Sequence, residues 1–100
     1  MSSKIIHIAS RTYKVEIIKH KSSTDCTFHY NNLVKEYAAK QEVKTEVYDL
    51  NDWTSNVFVI NGKPLSVARF GETIQLIKSL QPQNLEIYKN DLSAIFAKLQ

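Results

Sequence analysis

The sequence predicts a mixed α/β domain, on three observations. Two runs near the amino end, residues 4–9 (K-I-I-H-I-A) and 13–20 (Y-K-V-E-I-I-K-H), are rich in β-branched residues, as strands are. From residue 27 the apolar period changes, with Tyr30, Leu33, Val34, Tyr37, Ala38 and Gln41 at helical spacing. Further on, Asn61-Gly62 stands between two apolar runs, a hairpin signal in which both turn residues accept a positive φ. One hundred residues, 43% of them hydrophobic, suit a single domain over 1–100 with one core.

The elements follow in chain order. The two amino-terminal strands are separated by the polar Ser10-Arg11-Thr12. Thr24 or Asp25 can cap the helix expected over about 27–41, because a short side-chain oxygen accepts from the first unpaired N–H groups. Residues 43–50 (V-K-T-E-V-Y-D-L) alternate as a strand does, and the polar stretch 51–56 reads as a loop. Residues 57–60 (V-F-V-I) and 63–67 are the hairpin arms around Asn61-Gly62. Phe70, Ile74, Ile77 and Leu80 then fall at helical spacing, predicting a second helix over 71–80 that ends before Pro82. In the tail Leu85, Tyr88, Leu92, Ile95, Phe96 and Leu99 suit a third helix, and the favoured reading has Asn90-Asp91 cap a shorter one from about residue 91, after an extended L-E-I-Y. Its apolar stripe is expected to cover one sheet face; the alternative is docking a second copy as a homodimer.

Composition excludes several classes. Thirteen Lys and Arg against ten Asp and Glu give a net charge of +3, and the two arginines, Arg11 and Arg69, are far apart. Basic residues are scattered rather than striped, so nucleic-acid binding is not expected. No apolar run is long enough for a membrane span, so no membrane partner is expected. A lone cysteine cannot form an internal disulfide, which makes the cytoplasm the expected location.

Chemistry centres on that cysteine, Cys26, in K-S-S-T-D-C-T-F-H between a strand and a helix. Unpaired N–H groups in a helix's first turn stabilise a thiolate, the nucleophilic form. Equally, a lone cysteine serves as a small buried apolar residue. His29, three residues on, shares a helix face with Cys26 and would support its ionisation. Together with His20 they make a C-x-x-H set, weak for zinc without a second pair, and no metal site is assigned.

Two segments resemble glutaredoxins: V-E-I-I-K-H-K-S-S-T-D-C-T-F-H-Y-N-N-L, and T-S-N-V-F-V-I-N-G-K-P-L followed by F-G-E-T-I-Q-L-I-K-S. Together they span about residues 14–80. The resemblance implies a thioredoxin-like βαβββα fold, with an extra N-terminal strand and an extra C-terminal helix, whose first two core strands are parallel. It implies redox thiol chemistry with glutathione as cofactor, and glutathione or a thiol-bearing protein as partner. Cys26 would be the nucleophile. Lys21 and Glu72 would meet the carboxylate and amino ends of the tripeptide, Phe28 would match the active-site aromatic, and the Thr54-Ser55-Asn56 backbone would align the peptide.

Four positions depart from that pattern. His29 stands where relatives carry a second cysteine or a serine, so exchange would use one thiol and glutathione. Asn56 replaces a cis-proline, and a cis bond before a non-proline residue costs about 2.5–4 kcal/mol, so a trans bond is expected. Ala68-Arg69 replace a glycine pair. Two functions from different classes follow: glutathione-linked thiol–disulfide exchange through Cys26, as a monothiol oxidoreductase, or a non-catalytic protein-interaction module.

Overall fold

A computed structural model describes residues 2–40, 46–50 and 53–99. The chain runs β1 (Ser2–Ile8), β2 (Arg11–Lys19), α1 (Ser23–Ala38), β3 (Glu46–Leu50), β4 (Trp53–Ile60), β5 (Lys63–Phe70), β6 (Thr73–Ser79) and α2 (Leu85–Leu99). The strands form one six-stranded sheet in the order β1-β2-β6-β5-β4-β3. Every neighbouring pair is antiparallel.

The mixed α/β class agrees with the sequence, but the path of the chain differs from the one expected. β2 was to lie parallel in one sheet with the strand after α1. Instead its neighbours are β1 and β6, both antiparallel, and β3 forms the opposite edge beside β4. The parallel βαβ unit of the thioredoxin-like order therefore does not form among the described strands. A crossover helix followed by a meander leaves the returning strand to pair with β2, and here that strand is β6.

The helix expected over 71–80 is β6, and this single change accounts for the altered sheet. Residues 73–79 (T-I-Q-L-I-K-S) lie between β2 and β5, with both faces covered. A strand buried on both sides shows no polar alternation, and Ile74, Ile77 and Leu80 then imitate a helical spacing. Gly71, at φ 57, opens the turn that reverses β5 into β6. A left-handed backbone suits glycine, which has no Cβ to clash.

Adjacent rows of the sheet point to opposite faces. The row Glu16–Leu76–Val67–Asn56 lies toward α1 and the row Val15–Ile77–Ser66–Val57 toward α2, as the pairing register requires. Cys26, Tyr30, Phe58, Leu65, Val67, Ile74 and Leu76 form the core under α1. Ile6, Tyr13, Val15, Val57, Ile77, Tyr88 and Ile95 form the core under α2. The tail thus covers a sheet face, as its apolar stripe predicts.

Local signals explain several boundaries. Ser22 caps α1, its hydroxyl accepting from the Asp25 N–H at 3.1 Å, so the helix begins before the expected Thr24 or Asp25 cap. α2 begins at Leu85 rather than near Asp91: the Asn84 side chain accepts from the Glu86 N–H at 2.7 Å and makes L-E-I-Y its first turn. Asn61 and Gly62 have φ 54 and 75, the positive pair of a tight hairpin turn, and Ile60 faces Lys63 across it. β4 is longer than its apolar run, so Thr54, Ser55 and Asn56 are ladder residues opposite Arg69, Ala68 and Val67 rather than a loop. Of the strand expected over 43–50 and the loop over 51–56, residues 43–45 and 51–52 lie outside the described residues.

Candidate functional site

The start of α1 packs over the β5–β6 turn. This brings Cys26, His20, His29, Arg69 and Glu72 to one end of the sheet. The sequence placed three of these five, His20, Cys26 and His29, in one local region; Arg69 and Glu72 arrive through the antiparallel β5–β6 turn, and of these two only Glu72 was tied to the site, by the resemblance.

Cys26 is 0% exposed and lies in the apolar core with Tyr30, Phe58, Val67 and Ile74. Burial pushes its thiol up, Arg69 draws it partly back down, and Glu72 pushes it up again. The direction matters for chemistry, because a raised thiol carries little thiolate at neutral pH and the thiolate is the nucleophile. Any help from the first turn of α1 is outweighed by loss of water around the sulfur.

His29 pairs with another residue. Its Nδ1 lies 2.9 Å from His20 Nε2, with the ring centroids 5.0 Å apart and the planes at 63°. Only one of the two facing nitrogens can carry a proton in such a bond, so one ring donates and the other accepts. The His20 backbone N–H donates to the Glu72 carbonyl at 2.8 Å, tying the end of β2 to the β5–β6 turn. His20 Nδ1 is buried and makes no hydrogen bond among the described residues.

The remaining residues that the resemblance would set against glutathione do not converge. Asn56 is buried on the α1 face and its amide donates to the Tyr30 hydroxyl at 2.6 Å. Ser55, one residue back, is buried on the opposite face, turned away from Cys26. Thr54 is half-buried in the β4 ladder. No described peptide bond is cis, which agrees with the trans bond expected before Asn56. Lys21 and Glu72 are exposed, and Phe28 is 70% exposed on the outer side of α1, beside Thr24, Thr27 and Asn31. The segment that glutaredoxins use to align a peptide backbone is, at the matching positions here, occupied by strand pairing.

A second polar cluster went unread in the sequence. Asp91, on α2, accepts from Arg11 Nε at 2.6 Å and Nη2 at 3.0 Å, and from the Tyr13 hydroxyl. Gln83 Nε2 donates to that hydroxyl at 2.7 Å. The Arg11 hydrogen bonds hold the Asp91 carboxyl below its ordinary range, against the opposing effect of burial. Tyr13 is pushed up, by burial first and then by Asp91. With its oxygens engaged by three donors, Asp91 anchors α2 to β2; Arg11, one of two arginines, was the available signal. Among the described residues, no group of three or more His, Cys, Asp or Glu is placed to hold a metal ion.

Comparison with known protein families, characterised proteins and solved structures finds no match for this chain. The glutaredoxin resemblance therefore rests on the two segments alone. No described helix is long and apolar enough to cross a membrane.

Proposed function

We propose that this chain is a non-catalytic protein-interaction module. The observation that carries the reading is the orientation of one helix turn: α1 buries its thiol at 0% exposure and turns Phe28 outward at 70%. An exchange enzyme needs the reverse, an accessible sulfur that attacks a disulfide in line. An exposed aromatic ringed by Thr24, Thr27 and Asn31 has the form of an interface anchor, an apolar centre with a polar rim.

Thiol accessibility separates this reading from glutathione-linked exchange through Cys26. Native protein is incubated at neutral pH with glutathione disulfide, or with iodoacetamide, and its mass is followed; a urea-unfolded sample reports full reactivity. The module reading expects modification only after unfolding. A mixed disulfide at Cys26 in the native protein would overturn it in favour of exchange, in which Lys21 steers the tripeptide. Photo-crosslinking from position 31, beside Phe28, then addresses the surface: the adduct with a purified partner should disappear in Phe28→Ser and persist in Ile5→Ser.

A further inference from the structure

At the other end of α1, away from Cys26, the helix and sheet enclose a groove of about 330 Å³. Tyr37 lines it from the last turn of α1 and Lys40 from the turn just after the helix, Ile60 from the end of β4, Lys63 from the start of β5, Lys78 from the end of β6 and Leu80 from the residue after it. The antiparallel meander places three lysines distant in sequence around one opening.

Their charges are incompletely neutralised. Glu16 serves two cations, with its Oε1 3.2 Å from Lys78 Nζ and 3.8 Å from Lys14 Nζ. Lys40, just past the end of α1, lies 3.6 Å from the exposed Glu36 of its last turn, a pair that water screens. Lys63 makes no ion pair among the described residues. Four ammonium groups thus share two carboxylates. Burial disfavours the charge on Lys78, but its bonds to Glu16 and the Tyr37 hydroxyl more than restore it, so it is a dependable cation. The walls differ in character: Ile60 is half-buried, and Leu80 stands exposed at the rim.

We propose that this groove binds a small organic anion, a carboxylate or phosphate monoester on an apolar body, with the anion among Lys40, Lys63 and Lys78 and the body against Ile60 and Leu80. The volume is at the lower end of the range for small-ligand sites. A nucleic acid is a poorer fit, since its backbone needs a stripe of cations, whereas these converge on one opening. A bare inorganic anion would leave Leu80 uncovered. The site is independent of the interaction surface at Phe28.

Phenyl phosphate serves as the probe, titrated into isotope-labelled protein and followed by amide chemical shifts. Inorganic phosphate and benzyl alcohol, each one half of the probe, are run alongside. Saturable shifts confined to residues 37–40, 60–65 and 78–80 are expected for phenyl phosphate, with much weaker binding of either half. Lys40→Gln and Lys63→Gln should each weaken binding by about two- to five-fold, as should raised salt, and Lys19→Gln at the opposite end of the sheet should not. Unperturbed spectra of the variants show that they fold. The proposal fails if shifts do not saturate or fall outside these segments. It fails likewise if the double variant binds as well as the wild type, if benzyl alcohol binds equally well, or if an acidic peptide binds there and phenyl phosphate does not.

Discussion

Replacing Asp91 by alanine tests whether the cluster beneath α2 holds that helix on the sheet. The side chain is 7% exposed and accepts two hydrogen bonds from Arg11 and one from Tyr13. Arg11 is the more exposed partner and regains water when released, so its bonds add little net energy. The Tyr13 hydroxyl does not, because the ring is fully buried and its other partners, Gln83 Nε2 and Arg11, are donors that cannot accept its proton. A hydrogen bond to a charged group contributes about 1.5–3 kcal/mol, and with the lost packing Asp91→Ala should cost about 2–3 kcal/mol. For a domain of this size that lowers Tm by roughly 10–20 °C. The effect should depend on pH with a definite sign. Since the folded carboxyl lies below its ordinary value, its stabilisation is complete above the ordinary carboxylate range and fades as pH falls through the lowered value. Urea unfolding followed by circular dichroism, at neutral pH and at about pH 2, should show a gap between wild type and variant that narrows in acid. A Tyr13→Phe, Asp91→Ala cycle should return a coupling of about 1 kcal/mol or more. A neutral-pH loss below about 0.5 kcal/mol, a gap undiminished in acid, or additive single variants would refute the assignment.

Three smaller perturbations probe the turns and the α1 face. Tyr30→Phe removes the acceptor of the buried Asn56 amide and should cost about 1–3 kcal/mol in urea unfolding; no change would mean that Asn56 finds another partner. Gly62→Ala puts a side chain at φ 75, 3.4 Å from Pro82 Cβ, and should destabilise by about 1–2 kcal/mol; an unaffected Tm would contradict the hairpin geometry. Ala9 sits at φ 54 in the β1–β2 turn, so Ala9→Gly should raise stability by roughly 0.5 kcal/mol, the left-handed strain relieved exceeding the added freedom of the unfolded chain. A lower Tm for Ala9→Gly would reverse that ranking.

How legible each element was depends on whether one of its faces meets water. β1 and β2, the Asn61-Gly62 hairpin and α1 carry local signals, a β-branched run, a turn pair and a one-sided stripe, and all formed within a few residues of expectation. β6 carries none, because helices cover both its faces, and its apolar residues at 74, 76 and 77 fit a helix as well as a strand. That ambiguity is not confined to seven residues. As a helix, 73–79 would leave β2 to seek another neighbour; as a strand, it supplies that neighbour, makes the sheet antiparallel and brings Arg69 and Glu72 beneath the start of α1. The candidate site inherited the same uncertainty. Cys26 and Phe28 differ by two positions, about 200° around a helix, so one must face inward when the other faces out. Sequence spacing fixes that opposition but not its sense, which is set by the sheet rows that α1 covers. With Ile74, Val67 and Phe58 in those rows, the apolar surface beneath the helix takes up the sulfur, and the aromatic ring is left to water or to a partner.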